Sequence, residues 1–283
     1  MGTIRVGTCA WADHANFYPP ELKPRERLPF YARHFNLVEV DSSFYALQPP
    51  RNFRLWAEVT PPGFRFHVKA YRALTRHDRI PKPGEEDLGE VADRFRKSIM
   101  PLVESGKLTA LHFQFPPWFV RRSENLAYLG WIREQFASYL VAIEFRHRSW
   151  FQSAAVSGET LAFLRDQEFA HTIVDEPQIG SGSIPSVVAV TNPRLAVIRF
   201  HGRNRETWYA RGLATSGDRF KYLYSEDELR PWAEKARELA EEAEAVHLLM
   251  NNNFGDYAVR NAQQMLDLIF NVDGEGANGL PYQ

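Results

Sequence analysis

One ten-residue stretch, VAIEFRHRSW at positions 141–150, constrains the fold more than any other part of the chain. Side chains of a strand alternate between two faces, so the apolar residues of this stretch share one face while Glu144 and Arg146 share the other. Strands of a parallel sheet are covered on both sides and normally consist of near-continuous apolar runs. An acid and a base on one face of such a strand therefore indicate a site.

The same alternation recurs in six further segments, at positions 37–43, 64–69, 108–115, 171–175, 195–201 and 247–251. An apolar outer face under helices, with a polar inner face gathered toward the carboxyl ends of the strands, is typical of a parallel barrel with a site in its mouth. We therefore predict an α/β fold, a single (β/α)8 TIM-like barrel. Glycines, serines and prolines after the sixth strand predict a degenerate sixth helix, and positions 202–224 predict a long loop after strand seven.

The length of 283 residues suits one such barrel, for which about 250 residues is typical. No Gly/Pro/Ser linker divides the chain, so we predict one domain spanning residues 1–283, with a mobile tail at positions 274–283. No apolar run approaches the roughly 18 residues of a membrane span, and the first residues lack the apolar core of a signal peptide. These features predict a cytoplasmic protein that does not associate with membranes.

The net charge and the number of cysteines argue against general nucleic-acid binding and exclude sites built from several cysteines. The formal net charge of -1 gives no global attraction to nucleic acid, so binding of nucleic acid would need a local patch. The single cysteine excludes an internal disulfide framework and a multi-cysteine metal site.

Seven motifs that occur in order along nearly the whole chain resemble those of the YecE-like family, a domain of unknown function also designated DUF72. They are GTCAW (7–11), VEVDSSFY (38–45), FHVKA (66–70), QFPP (114–117), EFRHRSW (144–150), RFHGRN (199–204), and NN (252–253) followed by AVRNA (258–262). The resemblance implies a TIM-like barrel and implies no established reaction. One departure is Cys9-Ala10, where the family usually has Ser-Gly.

Ionisable residues on the predicted inner faces form the candidate catalytic set. The acids are Glu39, Asp41, Glu144 and Asp175, and the bases are Lys69, Arg146, Arg199 and His201. Paired carboxylates divide acid and base work when their surroundings separate their pKa values. We assign catalytic roles to Glu144, Asp41, Asp175 and Lys69; the alternative is a charge-balanced network that only fills the lumen. Lys69 has three open roles: Schiff-base nucleophile, anchoring cation or structural ion-pair partner.

No metal and no cofactor is assigned from the sequence. The possible ligands are Asp41, His67, Glu144, Asp175 and His201, but lysine and arginine on the same faces would repel a divalent ion. No compact motif of the His-Glu-x-x-His kind is present. Three histidines placed earlier on their strands, His112, His171 and His247, are predicted to be satisfied core residues.

The predicted ligand-binding residues combine cations, amides and aromatic rings at the mouth. They are Arg146, Arg199, His201, Gln114, Asn251, Asn253, Trp11, Tyr45 and Trp150. Either asparagine is equally suited to a turn, and Trp118, Trp208 and Tyr209 are further rim aromatics. The long loop carries Arg203, Arg205, Arg211, Arg219 and Lys221, which form either a phosphate-gripping flap or a solvated loop.

Three functions fit these residues. The first is an enzyme that binds a small polar or anionic ligand, sugar-like or phosphate-like, at the barrel mouth. The second is a nucleic-acid-binding or nuclease-like protein that uses rim cations and aromatics. The third is a sensor that binds a small molecule without catalysis. The sequence predicts neither the reaction class nor the oligomeric state, because fold does not fix chemistry.

Overall fold

Eight parallel strands, each paired with the next in sequence and the last with the first, close into one barrel. We describe this from a computed structural model that covers residues 1–78, 80–85, 87–210, 212–213 and 215–270. The strands are β1 (Thr3–Cys9), β2 (Leu37–Val40), β3 (Arg65–Lys69), β4 (Leu108–Gln114), β5 (Val141–Glu144), β6 (Ala170–Asp175), β7 (Ala196–Phe200) and β8 (Ala245–Met250). The predicted TIM-like barrel is confirmed. The predicted tail at 274–283, and Arg211 of the long loop, lie outside the described residues.

Eight α-helices accompany these strands in the described parts of the chain. They are α1 (Arg27–Tyr31), α2 (Ser42–Tyr45), α3 (Pro50–Glu58), α4 (Leu88–Glu104), α5 (Ser123–Gln135), α6 (Ala154–Asp166), α7 (Glu226–Glu242) and α8 (Tyr257–Phe270). Positions 176–195, all of them described, contain no helix between β6 and β7, as the glycines and prolines there predict. None of the helices within the described ranges has the length and apolar composition needed to cross a membrane.

The two faces of the barrel wall bury different kinds of residue. The outer faces carry large side chains such as Phe66, Phe113 and Phe145, all fully buried under the helices. Burial of one such side chain stabilises the fold by roughly 1.5–3 kcal/mol. The inner faces carry a small apolar cluster in which alanine recurs on three successive strands, at Ala110, Ala142 and Ala170. Small residues there leave room for long polar side chains in the lumen.

The pairing register of β6 places Asp175 on the outer face, so the prediction that it joins the inner-face acids is wrong. Val174 pairs with Arg199 and Asp175 with Phe200. Directly paired residues of neighbouring strands point to the same face. Val174 therefore faces the lumen, whereas Asp175 lies beneath α7 and accepts a hydrogen bond from Trp232 at 3.1 Å.

Side chains form hydrogen bonds to the unpaired backbone groups at the ends of two helices. Ser225 and Glu228 form a reciprocal capping box that starts α7 at the end of the long loop. At the carboxyl end of α3, the buried Lys107 ammonium donates to the carbonyl oxygens of Ala57 and Thr60, both at 2.6 Å. A cation at this position satisfies acceptors that the helix itself leaves unpaired.

Candidate functional site

The centre of the lumen is occupied by the guanidinium of Arg199, which has no solvent exposure. It extends from β7 and bridges two equally buried carboxylates, Glu39 at 2.6 Å and Glu144 at 2.5 Å. It also donates to the side-chain oxygen of Gln114 at 3.0 Å and to the sulfur of Cys9 at 3.3 Å. Residues from β1, β2, β4 and β5 thus meet on a single cation, as the inner-face pattern predicts.

Glu144 accepts hydrogen bonds at both carboxylate oxygens. Besides Arg199, it contacts His112 at 3.1 Å, His201 at 3.0 Å and Arg146 at 3.3 Å. Burial alone would raise the pKa of Glu144, but Arg199 and His201 lower this pKa well below the usual value. A carboxylate so fully paired is suited to orient and hold cations.

His201 is held as a neutral imidazole. Burial lowers the pKa of His201 to about 3. The amide of Asn251 donates to Nδ1 at 2.8 Å, so Nε2 carries the proton that is donated to Glu144. Asn251 therefore fixes the orientation and tautomer of this ring.

Two cations lie above this centre at the carboxyl ends of their strands, where the lumen approaches solvent. The Lys69 side chain is 12% exposed, and its ammonium lies 3.7 Å from Asp41. The Arg146 side chain is 11% exposed, and its guanidinium lies 3.4 Å from a carboxylate oxygen of Glu176. This Glu176 oxygen has no hydrogen-bond partner among the described residues, and Lys69 is too far from Asp41 for a hydrogen bond.

The carboxyl groups of Asp41 and Glu176 have pKa values raised toward neutrality. Burial raises the pKa of Asp41 to about 7 against the opposing effect of Lys69, and the charge and hydrogen bond of the neighbouring Glu39 add to the rise. Burial likewise raises the pKa of Glu176 to about 7, against the opposing effect of Arg146. The other oxygen of Glu176 accepts from the backbone amide of Ile184 at 2.8 Å. Sequence reasoning missed Glu176 because it lies after the end of β6, outside the strand pattern.

Three cations lie close to His77 at the mouth. Burial together with Lys69, Arg72 and Arg146 lowers the pKa of His77 to about 3. The Lys69 ammonium also lies over the ring of Phe44, 5.1 Å from its centroid. The mouth therefore presents cations and aromatic rings together.

Part of the long loop covers this mouth. Trp208 is buried, with its ring 4.9 Å from the Arg146 guanidinium and 6.3 Å from the His201 ring. The Arg219 guanidinium donates to the carbonyl of Trp208 and to that of Ala210. The Arg203 guanidinium is paired with Asp175 at 2.6 Å and with Glu228 at 3.1 Å. Arg203 and Arg219 thus hold the loop in place.

Four further residues were predicted to bind a ligand: Trp150, Trp11, Tyr45 and Asn253. Trp150 is fully buried outside the barrel wall, stacked on Phe145 at 3.9 Å, so its predicted place at the rim is wrong. Trp11 packs edge-on against Trp56 at 5.1 Å. Tyr45 is 63% exposed. Asn253 donates to the carbonyl of Cys9 at 2.8 Å, in keeping with a turn role.

A second polar cluster lies in the lumen beside Glu39. One donor atom from each of Glu39, His67 and His112 lies within 4.8 Å of the other two, and all three residues are buried. His67 is also hydrogen-bonded to His247 at 2.8 Å. His112 is buried and bonded to Glu144, as expected of a core histidine, but its Nδ1 atom has no hydrogen-bond partner among the described residues. Its ring therefore joins Glu144 to this cluster.

An open cleft of about 410 Å³ lies beside the rim, outside the barrel lumen. Arg76, Asp78 and Trp118 line it. The indole of Trp118 donates to the Arg76 carbonyl at 3.0 Å, so this predicted rim aromatic is anchored in the cleft.

Comparisons with known proteins give consistent matches over nearly the full chain. A family described as protein of unknown function DUF72 matches residues 5–278. The UPF0759 protein YunF of Bacillus subtilis is 42% identical over 270 residues, which cover 94% of each chain. A DUF72 family protein from Enterococcus faecalis is 33% identical with a TM-score of 0.86, over 99% of this chain and 100% of that one. A DUF72 family protein from Thermotoga maritima is 32% identical with a TM-score of 0.81, over 94% and 99%.

Proposed function

The chain belongs to the DUF72 family, whose function is not known, and we propose that it binds a small polar ligand bearing an anionic group at the barrel mouth. The observation that carries the proposal is the pair of partly exposed cations, Arg146 and Lys69, at the carboxyl ends of two barrel strands. This end of the fold hosts the active sites of characterised TIM-barrel enzymes.

The buried network beneath explains why these cations are available to a ligand. Glu144 holds Arg146 at 3.3 Å, but its strongest contact is the one with Arg199. Toward solvent, Arg146 lies 3.4 Å from Glu176, and Lys69 lies 3.7 Å from Asp41. Neither pair forms a hydrogen bond. A phosphate or carboxylate would supply shorter, charge-assisted bonds to both cations.

The same mouth has the groups that proton transfer requires. Glu176 and Asp41 have pKa values near 7, so each changes protonation state in the neutral range. General acids and bases work best when their pKa lies near the operating pH. We therefore propose that, if the ligand is transformed, Glu176 and Asp41 exchange the protons and Glu144 acts as the electrostatic anchor of Arg146.

The position of Trp208 restricts the access of a ligand to Arg146. Its ring covers Arg146, and a cation over an indole face is stabilised by roughly 0.5–2 kcal/mol. Ligand uptake therefore needs the Trp208 segment to move, and Trp208→Ala should speed association of the ligand.

Calorimetric titration with glucose 6-phosphate and with glucose tests the proposal. Wild-type protein should bind the phosphate ester more tightly than the neutral sugar, and Arg146→Met or Lys69→Met should weaken binding of the ester at least tenfold. Arg133→Met is the matched control, because Arg133 pairs with the exposed Glu168 near the opposite end of the barrel. Equal binding of the ester by all four proteins would refute the proposal.

The contacts of the long loop support the alternative function, nucleic-acid binding, less well than they support binding of a small ligand. Arg203 and Arg219 are engaged with Asp175, Glu228 and backbone carbonyls, which leaves them fewer donors for phosphates. Retention on DNA that falls steeply between low and moderate salt would favour this alternative over a small ligand.

A further inference from the structure

We propose that Glu39, His67 and His112 form a binding site for a divalent transition-metal ion, of the zinc class, inside the barrel lumen. The inference is independent of the anionic ligand at the mouth. It rests on three observations: the convergence of the donors, the absence of a hydrogen bond at one ring nitrogen of each histidine, and the partners of the remaining atoms.

The convergence comes from two adjacent strand pairings. Glu39 is paired in register with His67 on the neighbouring strand, and His112 follows on the next strand with its Nδ1 atom 3.8 Å from Glu39 Oε2. Two imidazoles and a carboxylate are donors that zinc and ferrous iron accept, at about 2.0–2.2 Å from the ion. Donors around a tetrahedral ion lie roughly 3.4 Å apart, so the His112 to Glu39 separation must shorten by about 0.4 Å.

Both histidines have one buried ring nitrogen without a hydrogen bond among the described residues, His67 Nδ1 and His112 Nδ1. Buried polar atoms are nearly always paired with protein, water or an ion, because an unpaired one costs about 1–3 kcal/mol. Two such nitrogens beside the Glu39 carboxylate indicate a common partner.

The second donor atom of each side chain already has a hydrogen-bond partner. His112 Nε2 contacts Glu144 at 3.1 Å, His67 Nε2 contacts His247 at 2.8 Å, and Glu39 Oε1 accepts from Arg199 at 2.6 Å. Metal-binding histidines almost always donate their second ring N–H to such an acceptor, which fixes the ring and its tautomer. The ion would therefore take the remaining ring nitrogen of each histidine and the second oxygen of Glu39.

The charge balance of the enclosed part also favours a cation. Among the lumen side chains, Glu39, Glu144 and Arg199 are charged and have no exposure, which gives two negative charges against one positive. The sequence-based objection that the inner-face cations would repel a metal weakens here. Arg199 is bound to the other oxygen of Glu39, and Lys69 and Arg146 are paired with Asp41 and Glu176 nearer the mouth.

Two measurements test the inference. The first is the metal content of tag-free protein purified from zinc-supplemented cultures, and the second is a Zn²⁺ titration of the same protein after its metal has been removed with a chelator. Wild-type protein should contain one zinc ion per chain, and His67→Gln and His112→Gln should bind Zn²⁺ at least tenfold more weakly. His171→Gln is the matched control, since His171 is a buried histidine whose ring contacts the Val187 carbonyl instead. Absence of zinc from wild-type protein both as purified and after titration would overturn the inference, as would equal binding by every variant.

X-ray absorption fine structure of zinc-loaded wild-type protein keeps the test valid if the histidine variants do not fold. The site predicts scattering from two imidazole rings together with oxygen. A shell of oxygen atoms alone, without imidazole scattering, would overturn it. Neither result affects the anionic ligand, whose binding is measured separately by calorimetry.

Discussion

Replacing Arg199 by methionine removes the cation on which the lumen network converges. The side chain has no exposure and bonds to Glu39 and Glu144 at 2.6 and 2.5 Å. Methionine fills much of the same volume but leaves two buried carboxylates without their strongest partner. Glu144 keeps His112, His201 and Arg146, whereas the shortest ion pair left to Glu39 among the described residues is the 3.8 Å contact with His112.

The expected loss of stability follows from this geometry. Removing one partner of a buried ion pair costs about 3–5 kcal/mol, because the remaining charge is left uncompensated. We expect the free energy of unfolding of Arg199→Met to fall by about this amount, a large share of the roughly 5–15 kcal/mol of an ordinary domain. Equilibrium unfolding in urea at neutral pH, followed by circular dichroism, measures it.

Two further proteins separate the charge effect from a packing effect. Arg133→Met removes an exposed ion pair with Glu168 and should cost less than about 1 kcal/mol. Adding Glu39→Gln and Glu144→Gln to Arg199→Met removes the stranded charges and should recover most of the loss. The reasoning is refuted if Arg199→Met lies within about 1 kcal/mol of wild type, or if the triple variant is no more stable than the single one.

Three other predictions use the same unfolding measurement. Ala10 has a left-handed backbone with φ of 65°, so Ala10→Gly should stabilise the protein by about 0.5–1 kcal/mol; a loss of stability would contradict this. Burial raises the pKa of Glu176 from 4.5 to about 7, so its ionisation destabilises the fold as pH rises through that window. Glu176→Gln should therefore be more stable than wild type by about 3 kcal/mol at pH 8 and nearly equal to it at pH 4, and a gain independent of pH would exclude this cause. Lys107→Met leaves the carbonyls of Ala57 and Thr60 unpaired and should cost about 2–4 kcal/mol, whereas a neutral result would mean that water replaces the ammonium.

The barrel could be predicted from the sequence because its strands carry opposite chemistry on their two faces. Glu39, Lys69, Glu144 and Arg199 were all placed on the inner face from parity alone, and the pairings agree. Arg146 follows the end of β5 and reaches the same face through its contact with Glu144. A one-residue shift exchanges the faces of a strand, so parity is decisive only where one face is clearly apolar.

The errors have the same physical origin. On β6 the sequence HTIVD has apolar residues on both faces, so the local sequence does not determine which face Asp175 occupies. The pairing of β6 with β7 determines it. Trp150 was placed at the rim because it follows a strand, yet its indole N–H finds an acceptor at 2.8 Å on Phe119 outside the wall. Contacts across the lumen, such as His112 with Glu144, depend on barrel closure and have no counterpart in local sequence spacing.

The most direct test of the proposed binding site is a crystal structure of the protein soaked with tungstate, a phosphate analogue whose anomalous scattering locates it unambiguously. We predict an anomalous peak between the Arg146 guanidinium and the Lys69 ammonium, and no such peak in Arg146→Met crystals. A wild-type mouth without tungstate, in crystals that hold the ion elsewhere, would contradict the proposed site.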